Sequence, residues 1–175
     1  MRARRSSRSV SIRSRSSFAP SSLLDDPQVE WLLLRNAQLP SELATRILTP
    51  KGLNAVFDAW ADPGVAEAAR GIARDLIRAR FGAAPAEERA ALIWDTEGTV
   101  LAALAGLTLD GRTVTILCSR SYTSAIFVRN LLKFSSCPGP LLGHLSKQGL
   151  VRRNPQLRSM VVAHPNTPLD AKRRG

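Results

Sequence analysis

The sequence predicts an all-α protein, and three observations carry that reading. Capping side chains stand directly before proline at Asp26-Pro27, Thr49-Pro50, Asp62-Pro63, Asn154-Pro155 and Thr167-Pro168. Apolar residues recur at three- and four-residue spacings, and no segment sustains the period of two that a strand needs between hairpin turns. Aromatics are only 5% of a chain that is 44% hydrophobic, so the core must be built from Leu, Ala, Val and Ile. That composition favours packed helices over a sandwich or barrel.

In chain order, residues 1–24 hold Arg and Ser with isolated apolar residues. Like charges separated by Ser favour solvated chain, so a disordered tail is expected there, followed by an α-helical repeat domain over residues 25–175. Helices are then expected over about 27–35, 40–48, 50–61, 63–81, 85–94, 97–107, 111–119, 123–134, 138–147, 155–163 and 168–173. At each opening the capping oxygen accepts bonds from the first free N–H groups, and proline gives up an N–H that had no partner. Leu39-Pro40, Ala84-Pro85 and Cys137-Pro138 repeat the theme with weaker caps. Proline also ends the helix before it, because the preceding residue is pushed out of the helical region.

Three segments show how the pattern works. In "PGVAEAARGIARDLIRARFG", Val65, Ala69, Ile72, Leu76 and Ile77 share a face, and Gly82 stands where a helix ends. "RTVTILCS" is rich in β-branched residues, yet Asp110 offers a cap and helical neighbours leave a strand nothing to pair with, so it is read as helix. In "SAIFVRNLLKF", Ile126, Phe127, Leu131 and Phe134 line one face while Arg129 and Lys133 occupy another.

The openings are spaced as stacked units would be. Pro138 to Pro155 is 17 residues and Pro155 to Pro168 is 13, while Pro27, Pro40, Pro50 and Pro63 lie 13, 10 and 13 apart. Helices this short bury a core only by stacking in pairs, which predicts a short irregular α-solenoid. A compact orthogonal helical bundle is the alternative.

The C-terminal stretch contains "CPGPLLGHL" and "NPQLRSMVVAHPNTP". Over these residues the chain resembles the leucine-rich repeat variant group, a relative of the HEAT and armadillo-type helical solenoids. The resemblance implies that "HPNTP" closes one helix and opens the next, with Thr167 as the cap and Pro168 as the first residue of a last, short helix. The group's founding architecture carries an iron–sulfur cluster on an N-terminal cysteine cluster. No such cluster of cysteines exists here, so no cofactor is expected. The HEAT-like fold also hosts some DNA glycosylases, which need aromatics and an acid in a basic cleft. The basic third of this chain offers Tyr122 and no acid before Asp170.

Charge points to a binding role. Residues 1–24 hold six arginines and no acid, residues 25–118 hold nine basic and thirteen acidic residues, and residues 119–175 hold ten basic residues and only Asp170. The three segments therefore carry +6, −4 and +9, summing to +11. Such asymmetry attracts something anionic. The candidate binding residues are Arg129, Lys133, Lys147, Arg152, Arg153 and Arg158. Arg152 and Arg153 are expected in the loop before Asn154-Pro155, with Arg158 one turn into the following helix. Positive charge there opposes the helix dipole, and the helix N-terminus would help these arginines hold a phosphate or carboxylate.

Catalytic and metal readings find little support in the sequence. Cys118, Cys137, His144 and His164 are the only thiols and imidazoles, and their wide spacing matches no close-paired zinc pattern. His164 is expected to bond a carbonyl at a helix end. Cys137 near His144 has the composition of a nucleophile pair, but "SSCPG" reads as a helix opening and a buried thiol behaves as a small hydrophobe. "GAAPAEERAAL" lacks the lysine of a phosphate-binding loop. Trp31, Trp60 and Trp94 are expected to anchor helix packing. No apolar run approaches the roughly 18 residues that span a bilayer, and two cysteines make no disulfide framework. A cytoplasmic, bacterial protein is expected, with an organelle transit segment as the alternative reading of the tail. The expected function is a non-enzymatic binding module, a protein–protein interaction scaffold, with nucleic-acid binding through the basic tail and basic C-terminal repeats as the alternative.

Overall fold

The structure is a computed structural model, and it describes residues 26–173. The expected tail over 1–24 lies outside the described residues. Within them, eleven α-helices and one 3-10 turn follow one another, with no strand. The helices are α1 (Pro27–Leu34), α2 (Ser41–Leu48), α3 (Leu53–Ala61), α4 (Glu67–Ala83), α5 (Ala86–Asp95) and α6 (Gly111–Cys118). They continue with α7 (Ala125–Lys133), α8 (Gly139–Lys147), α9 (Gly149–Arg153), α10 (Pro155–Ala163) and α11 (Leu169–Lys172).

Side-chain caps open several of these helices as the residue types require. Asp26 accepts from the Gln28 N–H ahead of α1, and Asp110 accepts from the Arg112 and Thr113 N–H groups ahead of α6. Ser124 accepts from Phe127 N–H, and Asn154 from Gln156 and Leu157 N–H. The β-branched stretch before Cys118 is helical, as its cap implied.

At the weaker openings Pro40, Pro85 and Pro138 themselves take the cap position, and three of the stronger openings also work differently. Thr49 ends α2, its hydroxyl donating to the Thr45 carbonyl at 2.7 Å, and α3 starts only after Gly52. Asp62 ends α3 and accepts from the Gly64 N–H at 2.7 Å, closing a turn before α4 begins at Glu67. A short acceptor before proline closes an Asx turn as readily as it caps a helix. Arg35, donating at 2.8 Å, is the main reason the Asp62 carboxyl titrates below the usual range. Thr167, the third, is buried, and its hydroxyl donates to the Val161 carbonyl at 2.5 Å, so Pro168 takes the cap position of α11.

Two elements differ from expectation. The helix expected over about 97–107 is a short 3-10 turn, Thr99–Ala102. Glu97 and Gly98 have φ of 46° and 73°, and that left-handed pair breaks the helical path after α5. Val100, Leu101, Ala103 and Leu104 are nevertheless buried, so the apolar spacing is satisfied by tight i to i+3 turns instead. The loop expected after Lys147 contains α9, whose Val151 is buried.

One apolar core runs from Leu34 to Val161. Helices α2 and α3 pack on α4, α5 packs on α6, α6 on α8, and α7 on α10. Ala69, Ala73, Ile77 and Phe81 form the buried face of α4, the alanines letting neighbouring backbones approach closely. Fully burying a side chain such as Ile77 or Phe81 contributes about 1.5–3 kcal/mol.

Side chains also tie each part of the chain to a loop that lies earlier in sequence. The Arg80 guanidinium donates to the Thr49 and Lys51 carbonyls, 31 and 29 residues back. Asn130 donates to the Glu97 carbonyl, 33 residues back, at 3.0 Å. His164 bonds the Phe134 carbonyl 30 residues back, and Asn166 donates to the Ser135 and Cys137 carbonyls, 31 and 29 back. Loop carbonyls left free at helix ends are thereby satisfied.

Asp110 provides a second kind of tie and a pH-dependent prediction. Its carboxylate caps α6 and meets Arg89 of α5 at 2.9 Å. The Thr113 hydroxyl and N–H, with Arg89, hold it at about 2 rather than 3.8. A depressed carboxyl adds stability above its unfolded value and loses it as pH falls through the folded one. Stability should therefore decline between pH 3.8 and about 2, and Asp110→Asn should flatten that segment of the profile. The effect is modest because the carboxylate is partly exposed to screening water. Urea midpoints of both proteins across this range are the check.

Candidate anion-binding groove

The six candidate cations do not form one patch. Lys147, Arg152 and Arg158 line a single groove of about 550 Å³ at the C-terminal end of the fold. Helix α8 ends at Lys147, the extended backbone of Gln148 redirects the chain, and α9 and α10 follow at once. Leu145, Val151, Leu157 and Ala171 are buried and set the relative placement of these helices. The exposed cations therefore face a shared space whose remaining walls are Val151, Val161, Val162 and Ala171, with Ser146 beside them. A second cleft of about 350 Å³ adjoins it along α10, sharing Arg158 and Val162 and adding Pro155, Ser159 and Ala163.

The other three candidates lie elsewhere. Arg129 and Lys133 are exposed on α7, and Arg153 folds its guanidinium back against Gly149 of its own helix. Arg152 and Arg153 are not in a loop. They form the last turn of α9, where positive charge meets the negative helix end. The dipole penalty expected for them is thus removed and remains only for Arg158, in the first turns of α10. The amides at the start of α10 are also occupied, since Asn154 Oδ1 accepts from Gln156 and Leu157 at 3.0 and 3.2 Å. Any anion recognition in the groove rests on side chains.

The electrostatic division of the chain is visible in its ion pairs. Among the described residues every salt bridge joins groups between Glu30 and Arg112. None includes Lys147, Arg152 or Arg158. Three cations brought to one groove without a carboxylate repel one another, and an anion there relieves that repulsion.

The histidines and cysteines have structural surroundings. His164 is buried, its Nε2 3.1 Å from the Phe134 carbonyl, while Nδ1 accepts from the Asn166 N–H at 3.2 Å. His144 Nε2 lies 2.9 Å from the Arg120 carbonyl. Burial pushes the Cys137 thiol up to about 12 and raises Cys118 as well, the reverse of an activated nucleophile. Iodoacetamide at mildly alkaline pH should therefore label the half-buried Cys118 slowly and the buried Cys137 only after unfolding. Mass spectrometry of the tryptic peptides reads both rates, and fast labelling of Cys137 in the folded protein would contradict this burial. Among the described residues no group of three or more His, Cys, Asp or Glu side chains is placed to hold a metal ion.

Spacing in the sequence gave no hint of the aromatic cluster that joins the acidic and basic halves. Trp94 of α5 packs against Tyr122 and Phe127 at ring-centroid distances of 5.3 and 5.1 Å. The Arg120 guanidinium stacks over Trp94 at 4.7 Å. The Tyr122 hydroxyl donates to the Leu117 carbonyl at 3.0 Å, and burial raises its titration.

No helix among the described residues is long and apolar enough to cross a membrane. Comparisons with protein-family models, with curated proteins and with solved structures return no match.

Proposed function

We propose that this chain is a non-enzymatic binding module, a protein–protein interaction scaffold in which the basic groove at the C-terminal end holds an anionic partner. One observation carries the reading: Lys147, Arg152 and Arg158 converge on one groove, and among the described residues no carboxylate is in ion-pair contact with them. The arrangement of helices as an irregular α-solenoid of the HEAT or leucine-rich repeat variant kind belongs to the same proposal. It is supported by helix contacts between near neighbours in the chain and by the ties that reach about thirty residues back. Two unpaired thiols fit a reducing cytoplasm.

Nucleic-acid binding is the second reading, favoured by the net charge of +11. The groove itself favours a protein partner. Single-strand binders stack bases on aromatic side chains, and here no aromatic among the described residues lines the groove while Trp94, Tyr122 and Phe127 pack against one another. Titrating labelled polyglutamate, duplex DNA and single-stranded RNA at two salt concentrations separates the two. The scaffold reading expects saturable binding of polyglutamate and only weak nucleic-acid binding. Tight binding of DNA or RNA with log affinity falling by about 0.9 per neutralised phosphate on duplex would establish the second reading instead.

A further inference from the structure

We infer that the groove accepts an acidic–aliphatic segment of a partner protein. Its Asp or Glu side chains would meet Lys147, Arg152 and Arg158 while its Leu, Ile or Val side chains lie on Val162, Pro155 and Ala163. This rests on the groove being the binding site, as proposed above, and adds the chemistry of the occupant.

The lining calls for both kinds of contact. Three cations supply the charge complementarity, while Val151, Val161 and Ala171 are already buried in the fold, so the apolar surface still open to a partner is that of Val162 and, in the adjoining cleft, Pro155 and Ala163. Val162 is only half-buried and sits where the two clefts meet, beside Pro155 and Ala163. Apolar surface of that kind is stabilised by covering it with apolar side chains. The one hydroxyl in the main groove, on Ser146, already donates to the Gly143 carbonyl at 2.8 Å. The lining side chains of the main groove therefore offer no free hydroxyl donor to a neutral sugar, and its recognition of an anion rests on the three cations. A volume of about 550 Å³ suits several side chains of a short segment and falls in the ordinary range of ligand clefts. The chain's own first 24 residues carry six arginines and no acid, so charge repulsion excludes them as the occupant.

The test compares two labelled probes of equal length, roughly three helical turns, on the full chain. One alternates Glu with Leu in an i, i+3, i+4 pattern, and the other is polyglutamate. The acidic–aliphatic peptide should bind at least about tenfold more tightly and keep most of that margin in high salt, because salt screens charge and not apolar burial. Val162→Ser should remove the margin and leave polyglutamate binding unchanged. Val162→Thr, which keeps the side-chain shape, should do the same and guards against misfolding as the cause. Equal affinity for the two probes would overturn this inference and leave the anion-binding groove standing. Binding of neither probe would overturn the groove itself, and tighter binding of a single-stranded oligonucleotide than of either peptide would replace the partner class.

Discussion

Replacing His164 with Ala should cost about 3 kcal/mol of stability, the largest loss expected from any single polar side chain here. The ring is buried where α10 ends, and both nitrogens are used. Nδ1 accepts the Asn166 N–H at 3.2 Å, which leaves Nε2–H to donate to the Phe134 carbonyl at 3.1 Å. That arrangement orients Asn166, whose amide reaches the Ser135 and Cys137 carbonyls, and the following Thr167, whose hydroxyl reaches Val161. Alanine would leave a cavity, an orphaned carbonyl and a loosened junction at once. Urea denaturation followed by circular dichroism should show a lower midpoint with little change in slope. A loss under about 0.5 kcal/mol would mean the junction does not hold the last units together.

Reversing the charge of two groove residues should have the largest effect on binding. Lys147→Glu with Arg158→Glu is expected to lower affinity for an acidic probe by about a hundredfold or more, since attraction becomes repulsion at a shared site. Stability should change little, because the two substitutions act in opposite senses on their helices. Arg158 sits in the first turns of α10, where an acid is favoured by the dipole and a cation is not, whereas Lys147 closes α8, where the reverse holds. Among the described residues neither cation has an ion pair to lose. Binding is thus lost without a matching loss of stability, which a partly unfolded variant could not imitate. Arg129→Glu with Lys133→Glu, on α7 outside the groove, should leave affinity nearly unchanged apart from long-range attraction. Equal losses from both pairs would show that net charge, and not the groove, governs binding.

Local chemistry made most of the helices legible. Asp26, Asp110 and Asn154 cap as short oxygen-bearing side chains do, and Ala69 and Ile77 lie on the buried face of α4 as expected, but that face continues through Ala73 and Phe81 while Ile72 and Leu76 are only half-buried. Where Thr49 and Asp62 failed as openings, the same side chains closed turns, a choice settled by what packs next and not by the residue pair itself. The stretch after Asp95 carried helical spacing but also Glu97-Gly98, and the left-handed turn there changed its course. At the candidate groove, residue type pointed to the C-terminal cations, yet only tertiary placement could separate Lys147, Arg152 and Arg158 from Arg129, Lys133 and Arg153. The aliphatic walls were invisible for the same reason. Val161 belongs to the core, and Val162 beside it is a groove wall only because α8, α9 and α11 are placed around it.

Amide chemical-shift mapping during titration with the acidic–aliphatic peptide tests the central claim most directly. The account predicts saturable perturbations confined to Ser146–Arg152, Arg158–Ala163 and Ala171, with the acidic half unmoved. Perturbations centred on α7 around Arg129 and Lys133, or spread evenly over the basic surface, would contradict it.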